Sequence, residues 1–221
     1  MQKNLLFLAL SLPFFVFAKP AIVPLKKSSA LLEQALEKYQ LSKMISMNVE
    51  KSVFSEVLSK ETLYAGKIQL ANGKFRWENE TPEKTLLLFD GKTLFNVQYP
   101  PKEFKGSVQV AKSVLDEKAK KQNLVALLLS PSSAKSNFKI QSEKRVDQLT
   151  EVQILSGTDD LQIKELTIFI NPKNKQIQKI SYKDDVGNAV KFSFSNIKFE
   201  EKTDSSLFQY KIPKDAQVTN L

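Results

Sequence analysis

The chain has 221 residues, with 33 Lys and Arg against 24 Asp and Glu for a formal net charge of +9, and it contains neither histidine nor cysteine. Those two absences exclude Ser-His-Asp and Cys-His catalysis, zinc, copper or haem sites built on His or Cys, and any disulfide brace. Six glycines form no G-x-G-x-x-G or P-loop pattern, which argues against a nucleotide cradle.

At the N-terminus, Lys3 precedes an apolar run over 5–16, and Val16-Phe17-Ala18 places small residues at the spacing of a cleavage point. The run is short for a bilayer span, and no Cys follows it for lipidation. Residues 1–18 therefore read as a signal peptide cleaved after Ala18, and 19–221 as one exported domain, with an uncleaved membrane anchor as the alternative. The length that remains is enough for a single core.

Ser28-Ser29 is suited to cap a helix in which Leu31, Leu32, Ala35, Leu36 and Tyr39 share one side and Glu33, Glu37 and Lys38 fall on the other. From Met47 the period moves toward two. Strands are predicted over 62–70, 74–79, 85–89 and 93–99, punctuated by Gly73, Pro82 and Gly91, with Asp90-Gly91 fitted to a tight hairpin. A second helical candidate covers 113–130. Its 116–122 stretch is almost wholly polar, whereas Leu124-Val125-Ala126-Leu127-Leu128-Leu129 is apolar on every side before Pro131. A helix apolar all round must be covered all round, so this segment reads as a plug or lid inside the concave face of a sheet; a buried strand is the alternative. Further strands follow over 137–142, 149–155, 163–170, 176–183 and 189–199, with turns at 171–174 and 184–188.

About ten alternating strands in one domain predict a mainly β (α+β) fold. The expected form is a single curled antiparallel sheet, an open or half-closed barrel, with an N-terminal helix and a central lid helix over a hydrophobic concave face. A sandwich is the structural alternative. Asp159-Asp160 and Asp184-Asp185 lie beside Gly157 and Gly187 and read as turn residues; neither pair has the alternating oxygen ligands of a calcium loop. The lysines are dispersed among glutamates, which argues against nucleic acid. The Lys118, Lys120, Lys121 cluster suits an anionic lipid surface, and the net charge by itself suits a soluble monomer.

Phe75 and Trp77 point one way, Phe95, Val97 and Tyr99 share a face, and Phe192 and Phe194 share another. Pattern alone leaves two readings, ordinary core or the lining of a cavity. The order Phe75-Arg76-Trp77, Thr81-Pro82, Asp90-Gly91-Lys92-Thr93-Leu94-Phe95 resembles the core signature of the periplasmic outer-membrane lipoprotein carriers, the LolA family. The turn at 184–188, Phe192-Ser193-Phe194-Ser195-Asn196 and Leu207-Phe208-Gln209-Tyr210-Lys211-Ile212-Pro213 resemble that family's later elements.

The resemblance implies a periplasmic chaperone without catalysis or cofactor. It would take acylated lipoproteins from an inner-membrane lipoprotein-releasing ABC transporter complex and carry them toward the outer membrane and a receptor there. It further implies an acyl-binding cavity lined by Phe75, Trp77, Leu88, Phe95, Val97, Phe169, Phe192 and Phe194, beneath a lid carrying Leu32, Leu36, Leu124, Leu127 and Leu128. An envelope lipid or glycolipid binder and an envelope sensor domain share the fold as alternatives, and a secreted carboxylate hydrolase ranks last. Two departures stand out. Val49-Glu50-Lys51 occupies the place of the family's Phe-Thr-Gln, and Leu70-Ala71-Asn72-Gly73 that of an Arg-Pro whose arginine helps hold the lid shut.

Overall fold

In the computed structural model, which describes residues 29–71, 73–101, 103, 105–115, 138–156, 164–184 and 186–221, the chain opens on helix α1 (Ala30–Leu41). Ser29 caps it: its Oγ accepts the Leu32 N–H at 3.2 Å, satisfying one of the donors that a helix start leaves free. Leu32, Ala35, Leu36 and Tyr39 are buried, the stripe that the 3.6-residue period sets out.

Twelve strands follow: β1 (Met44–Ser55), β2 (Lys60–Ala71), β3 (Lys74–Thr81), β4 (Thr85–Phe89), β5 (Thr93–Gln98), β6 (Gln109–Val114), β7 (Phe138–Val146), β8 (Leu149–Ser156), β9 (Lys164–Asn171), β10 (Gln176–Lys183), β11 (Ala189–Glu200) and β12 (Gln217–Asn220). They form one sheet in the order β12-β6-β5-β4-β3-β2-β1-β11-β10-β9-β8-β7. Each neighbouring pair is antiparallel except β12 on β6, which is parallel. The ends, β12 and β7, do not pair, so the sheet is not closed into a barrel.

Short polar side chains make the turns. Asp90 Oδ1 accepts the N–H groups of Lys92 and Thr93 at 2.8 and 2.7 Å, while Gly91 takes φ +104°. Asn171 Oδ1 accepts from Lys173, and Asp184 Oδ1 accepts from Val186 and Asn188. Bulges interrupt the ladders in β1–β11, β2–β3, β9–β10 and β7–β8, and Asn196 sits in one of them at φ +51°. Such irregularities bend strands and increase twist. Their result can be read from two rings. Trp77 on β3 and Phe192 on β11 lie three strand spacings apart, about 14 Å in a flat sheet, yet their centroids are separated by 5.7 Å. Both rings lean into the hollow of a strongly curled sheet.

The strands at 85–89 and 176–183 match their predicted bounds, and the others agree within a few residues. β1 was foreshadowed only by the change of period from Met47, and β6 and β12 were not among the predicted strands. Ser113 and Val114, expected to begin a helix, are the end of β6. Among the described residues α1 is the only α-helix; the central lid segment 124–129, whether helix or strand, lies outside them.

The back of the sheet has its own cover. Leu86, Leu88, Val97 and Val110 pack beneath Tyr210, Ile212 and Ala216 of the C-terminal segment. A short 3-10 turn (Ser205–Phe208), capped by Asp204, drives Phe208 against Met44 and Ala71.

At Gly66 there is no room for a side chain, since a Cβ built there would lie 1.8 Å from the backbone oxygen of Glu78. Gly66→Ala is therefore expected to lower stability by about 2 kcal/mol or more. Gly73→Ala, at φ +75° with open space around it, should cost about 1 kcal/mol. Urea unfolding of the two variants checks the order.

Candidate functional site

Period-two alternation, carried through the observed register, sorts every strand residue to one of two faces. Starting from β1, Val49, Lys51 and Val53 face the same way as Phe194, Phe192 and Val190 of β11, and as Gly66, Tyr64 and Thr62 of β2. From Ile68 the same face continues through Trp77 to Leu87, and from Leu70 through Phe75 and Phe89 to Leu94. On the other side it runs from Phe192 through Ile180 and Ile168 to Val152. This is the concave face, and its apolar side chains form one continuous cluster from β5 to β7.

Helix α1 covers one end of that face. The Tyr39 hydroxyl donates to the Ile177 carbonyl at 3.4 Å and accepts from the Ile177 N–H at 3.2 Å. Its ring meets Phe199 edge-on at 5.1 Å. Burial pushes this phenol far above its ordinary range. Leu32 and Leu36 join the same cluster as Ile45, Leu70, Phe75 and Phe89.

The other end is aromatic and less covered. Phe192 is the hub, with ring centroids at 5.7 Å to Trp77, 6.1 Å to Phe194 and 6.4 Å to Tyr182. Phe192 itself is buried at 7% exposure, whereas Trp77, Phe194, Tyr182 and Leu87 are half-buried. Lys51 stands in the middle of this group. Its Nζ lies 5.3 Å from the Tyr64 ring centroid, 5.5 Å from Trp77 and 5.7 Å from Phe192. Burial pushes the Lys51 ammonium below its usual range, and the Asp184 carboxylate acts against that shift. Tyr182 is pushed up by burial and by the same carboxylate.

Of the expected cavity residues, the structure brings Phe75, Trp77, Phe192 and Phe194 together on the concave face. It places Leu88, Phe95 and Val97 on the back. The three-residue turn at Asp90 sets Leu88 opposite Phe95 and Leu86 opposite Val97, in line with Arg76 and Glu78 rather than Trp77. Phe95 packs on Tyr210 at 5.6 Å. Phe169 is also on the back, between Ile168 and Ile170 in sequence and paired with Lys179 and Glu151. Of the expected lid residues, Leu32 and Leu36 cap the concave face, while Leu124, Leu127 and Leu128 lie outside the described residues. Arg76 points backward, as alternation requires, where it pairs with Glu78 and donates to the Leu207 carbonyl at 3.1 Å. The carboxylate of Asp184 is occupied by its own turn, which is the structural reading of that acid.

Sequence reasoning passed over Tyr64, Tyr182, Leu87 and Lys51 as members of this face. For Lys51 the signal was present: two positions beyond Val49, it shares the apolar side of β1.

Comparison with known proteins bears on the same segments. The family model for the outer membrane lipoprotein carrier protein LolA matches residues 45–211. The outer-membrane lipoprotein carrier protein of Vibrio cholerae serotype O1 is 30% identical over 154 residues, 69% of this chain and 71% of that protein. Its counterpart from Chromohalobacter salexigens is 28% identical over 149 residues, 66% of this chain and 65% of that protein. An uncharacterized conserved protein from Thermus thermophilus superposes with a TM-score of 0.53 at 16% identity, over 86% of this chain and 97% of that one, a likeness of fold alone.

The lowered Lys51 pKa fixes a sign. The folded state disfavours the ammonium, so its cost is present in full below the folded pKa and disappears above the ordinary lysine value of 10.5. Lys51→Met, which keeps apolar contact with the rings, should raise the melting temperature at pH 7. The difference from the parent should close as pH rises past that value. Paired thermal melts across the range check both parts.

Proposed function

The chain belongs to the LolA family of outer-membrane lipoprotein carrier proteins, and on that premise we propose that it is itself a carrier, binding the acyl chains of lipoproteins on its concave face. In this reading residues 1–18 are removed on export and 19–221 work in the periplasm as a monomeric single domain. The protein takes cargo from a lipoprotein-releasing ABC transporter complex of the inner membrane and yields it at the outer membrane, to a receptor there or to the membrane directly. Transfer of this kind makes and breaks no covalent bond.

The observation that carries the proposal is the uneven cover of one apolar face. Helix α1 lies against Ile177 and Phe199 at one end, and the end built from Trp77, Phe194, Tyr182 and Leu87 keeps part of its surface accessible. Magnitudes favour such an arrangement. Burial contributes about 0.8 kcal/mol per CH₂, so a long acyl chain sheltered in full would gain about 12 kcal/mol and dissociate only near ~1 nM. A carrier must let go. A face that shelters about half of a chain holds it with about half that energy, within reach of an acceptor of higher affinity.

Incubation of the purified 19–221 protein with spheroplasts should bring acylated lipoprotein into the soluble fraction. No release in the presence of the native extraction complex would overturn the proposal, and copurification of free lipid or of an unacylated protein would redirect it to a lipid binder or an interaction domain. Phe194→Asp, at a half-buried position, should weaken capture by at least about tenfold with a small change in melting temperature. Ile168→Asp, at a position 1% exposed, should abolish folding instead.

A further inference from the structure

Lys51 is out of place on an apolar face. Its strand neighbours on that side are Val49 and Val53, and its cross-strand partners are Tyr64 and Phe192. A lysine on an exposed strand usually extends its ammonium to water along its own methylenes. Here the ammonium is instead held over three aromatic faces. Among the described residues no carboxylate or carbonyl comes within hydrogen-bond or ion-pair reach of it. Glu50 faces the back of the sheet, opposite Ala65 and Ser193. Glu56 is paired with Lys183 at 3.3 Å. Asp184, whose field does reach Lys51, has its oxygens engaged by the N–H groups of Val186 and Asn188 and by the Asn188 side chain.

A second donor in the same ring group lacks a partner. The indole Nε1 of Trp77 is buried with no acceptor among the described residues. Buried polar groups are nearly always satisfied, and those that are not call for an explanation. Lysine ammonium and indole N–H are both donors only. What is missing from this corner of the face is therefore an acceptor, and the fixed positive charge selects an anionic one.

We propose that Lys51 and Trp77 form a polar subsite within the apolar face, which takes the anionic oxygens of an amphiphile, a phosphate or carboxylate headgroup whose acyl chain lies along the concave surface. The inference goes beyond the carrier reading and rests on it, because the chain-binding surface is the one described above. Neutral amphiphiles occupy the apolar surface without the ionic contact, and cationic ones meet repulsion. Lys51 thus sets which lipids are held.

Trp77 is the only tryptophan of the chain, so its fluorescence reports occupancy of the subsite directly. The full 19–221 protein is titrated with lauroyl-lysophosphatidylglycerol, laurate and neutral monolauroylglycerol, each below its micelle concentration, and with inorganic phosphate. At least one anionic amphiphile should bind about tenfold or more tighter than the neutral one. A gain confined to the lysophospholipid assigns a phosphate, and one confined to laurate a carboxylate. Lys51→Met should bring all three within about twofold, and Lys51→Arg should keep the preference. Equal binding of charged and neutral amphiphiles, survival of the preference in Lys51→Met, or saturation by inorganic phosphate in the same concentration range would overturn the subsite while leaving the apolar surface standing. Failure of all three amphiphiles to bind would overturn the carrier reading, and this inference with it.

Discussion

Pairing of β1 with β11 is the interaction on which the molecule depends. Without it the chain would be two separate meanders, one from β1 to β6 and one from β7 to β11, each with an apolar face and no partner for it. The ladder joins residues about 140 positions apart in sequence, with Val49 opposite Phe194 and Lys51 opposite Phe192. Closing so long a loop carries a large entropic cost and makes folding slow relative to local hairpins. With no cysteine in the chain, sheet and packing alone must offset that cost. The same ladder aligns the aromatic end of the concave face, because Phe192 and Phe194 reach Trp77 and Tyr64 only when β11 sits beside β1.

The sheet has apolar groups on both sides, and the two sides are used differently. On the back, the β4 to β6 strands are roofed by the C-terminal segment through Tyr210 and Ile212, and Phe208 is 1% exposed. Over those strands the back is filled by the protein itself. On the concave side, among the described residues, α1 covers one end and the rings of Trp77, Phe194 and Tyr182 beyond it stay half-buried. How far each apolar face is covered thus depends on which segment crosses it, more than on the composition of the strands.

This also explains how far the sequence could be read. Strand positions were legible because alternation is strong in segments such as Val190 to Phe194 and because Asp90-Gly91 and Asn171 announce their turns. The helix was legible from its cap and stripe. The grouping of site residues was less so. Leu86 to Phe89 are all apolar, so alternation there leaves both faces open; only the three-residue turn and the C-terminal roof send Leu88, Phe95 and Val97 to the back. Phe169 lies in a similar apolar run, Ile168-Phe169-Ile170, whose outward member cannot be told without the register. β12 was missed because a four-residue parallel edge strand carries almost no periodic signal, and β6 because Lys112 and Ser113 break its apolar alternation. Lys51 stood out in the sequence as a departure from the family pattern, and its meaning needed the three rings that surround it.

In an open sheet an end strand has one side without a ladder partner, and among the described residues β7 is one such strand. Along it stand Lys139, Lys144 and Arg145, with Lys144 tied to Glu151 of β8 at 3.1 Å and its side chain still 59% exposed. If a second molecule laid its own β7 antiparallel against this one, cationic side chains would confront cationic side chains along the seam. Edge charges of this kind are a recognised defence against strand-to-strand aggregation. A sheet that stays unclosed, and so keeps a hollow, carries on this edge the charges that oppose its extension by a second copy.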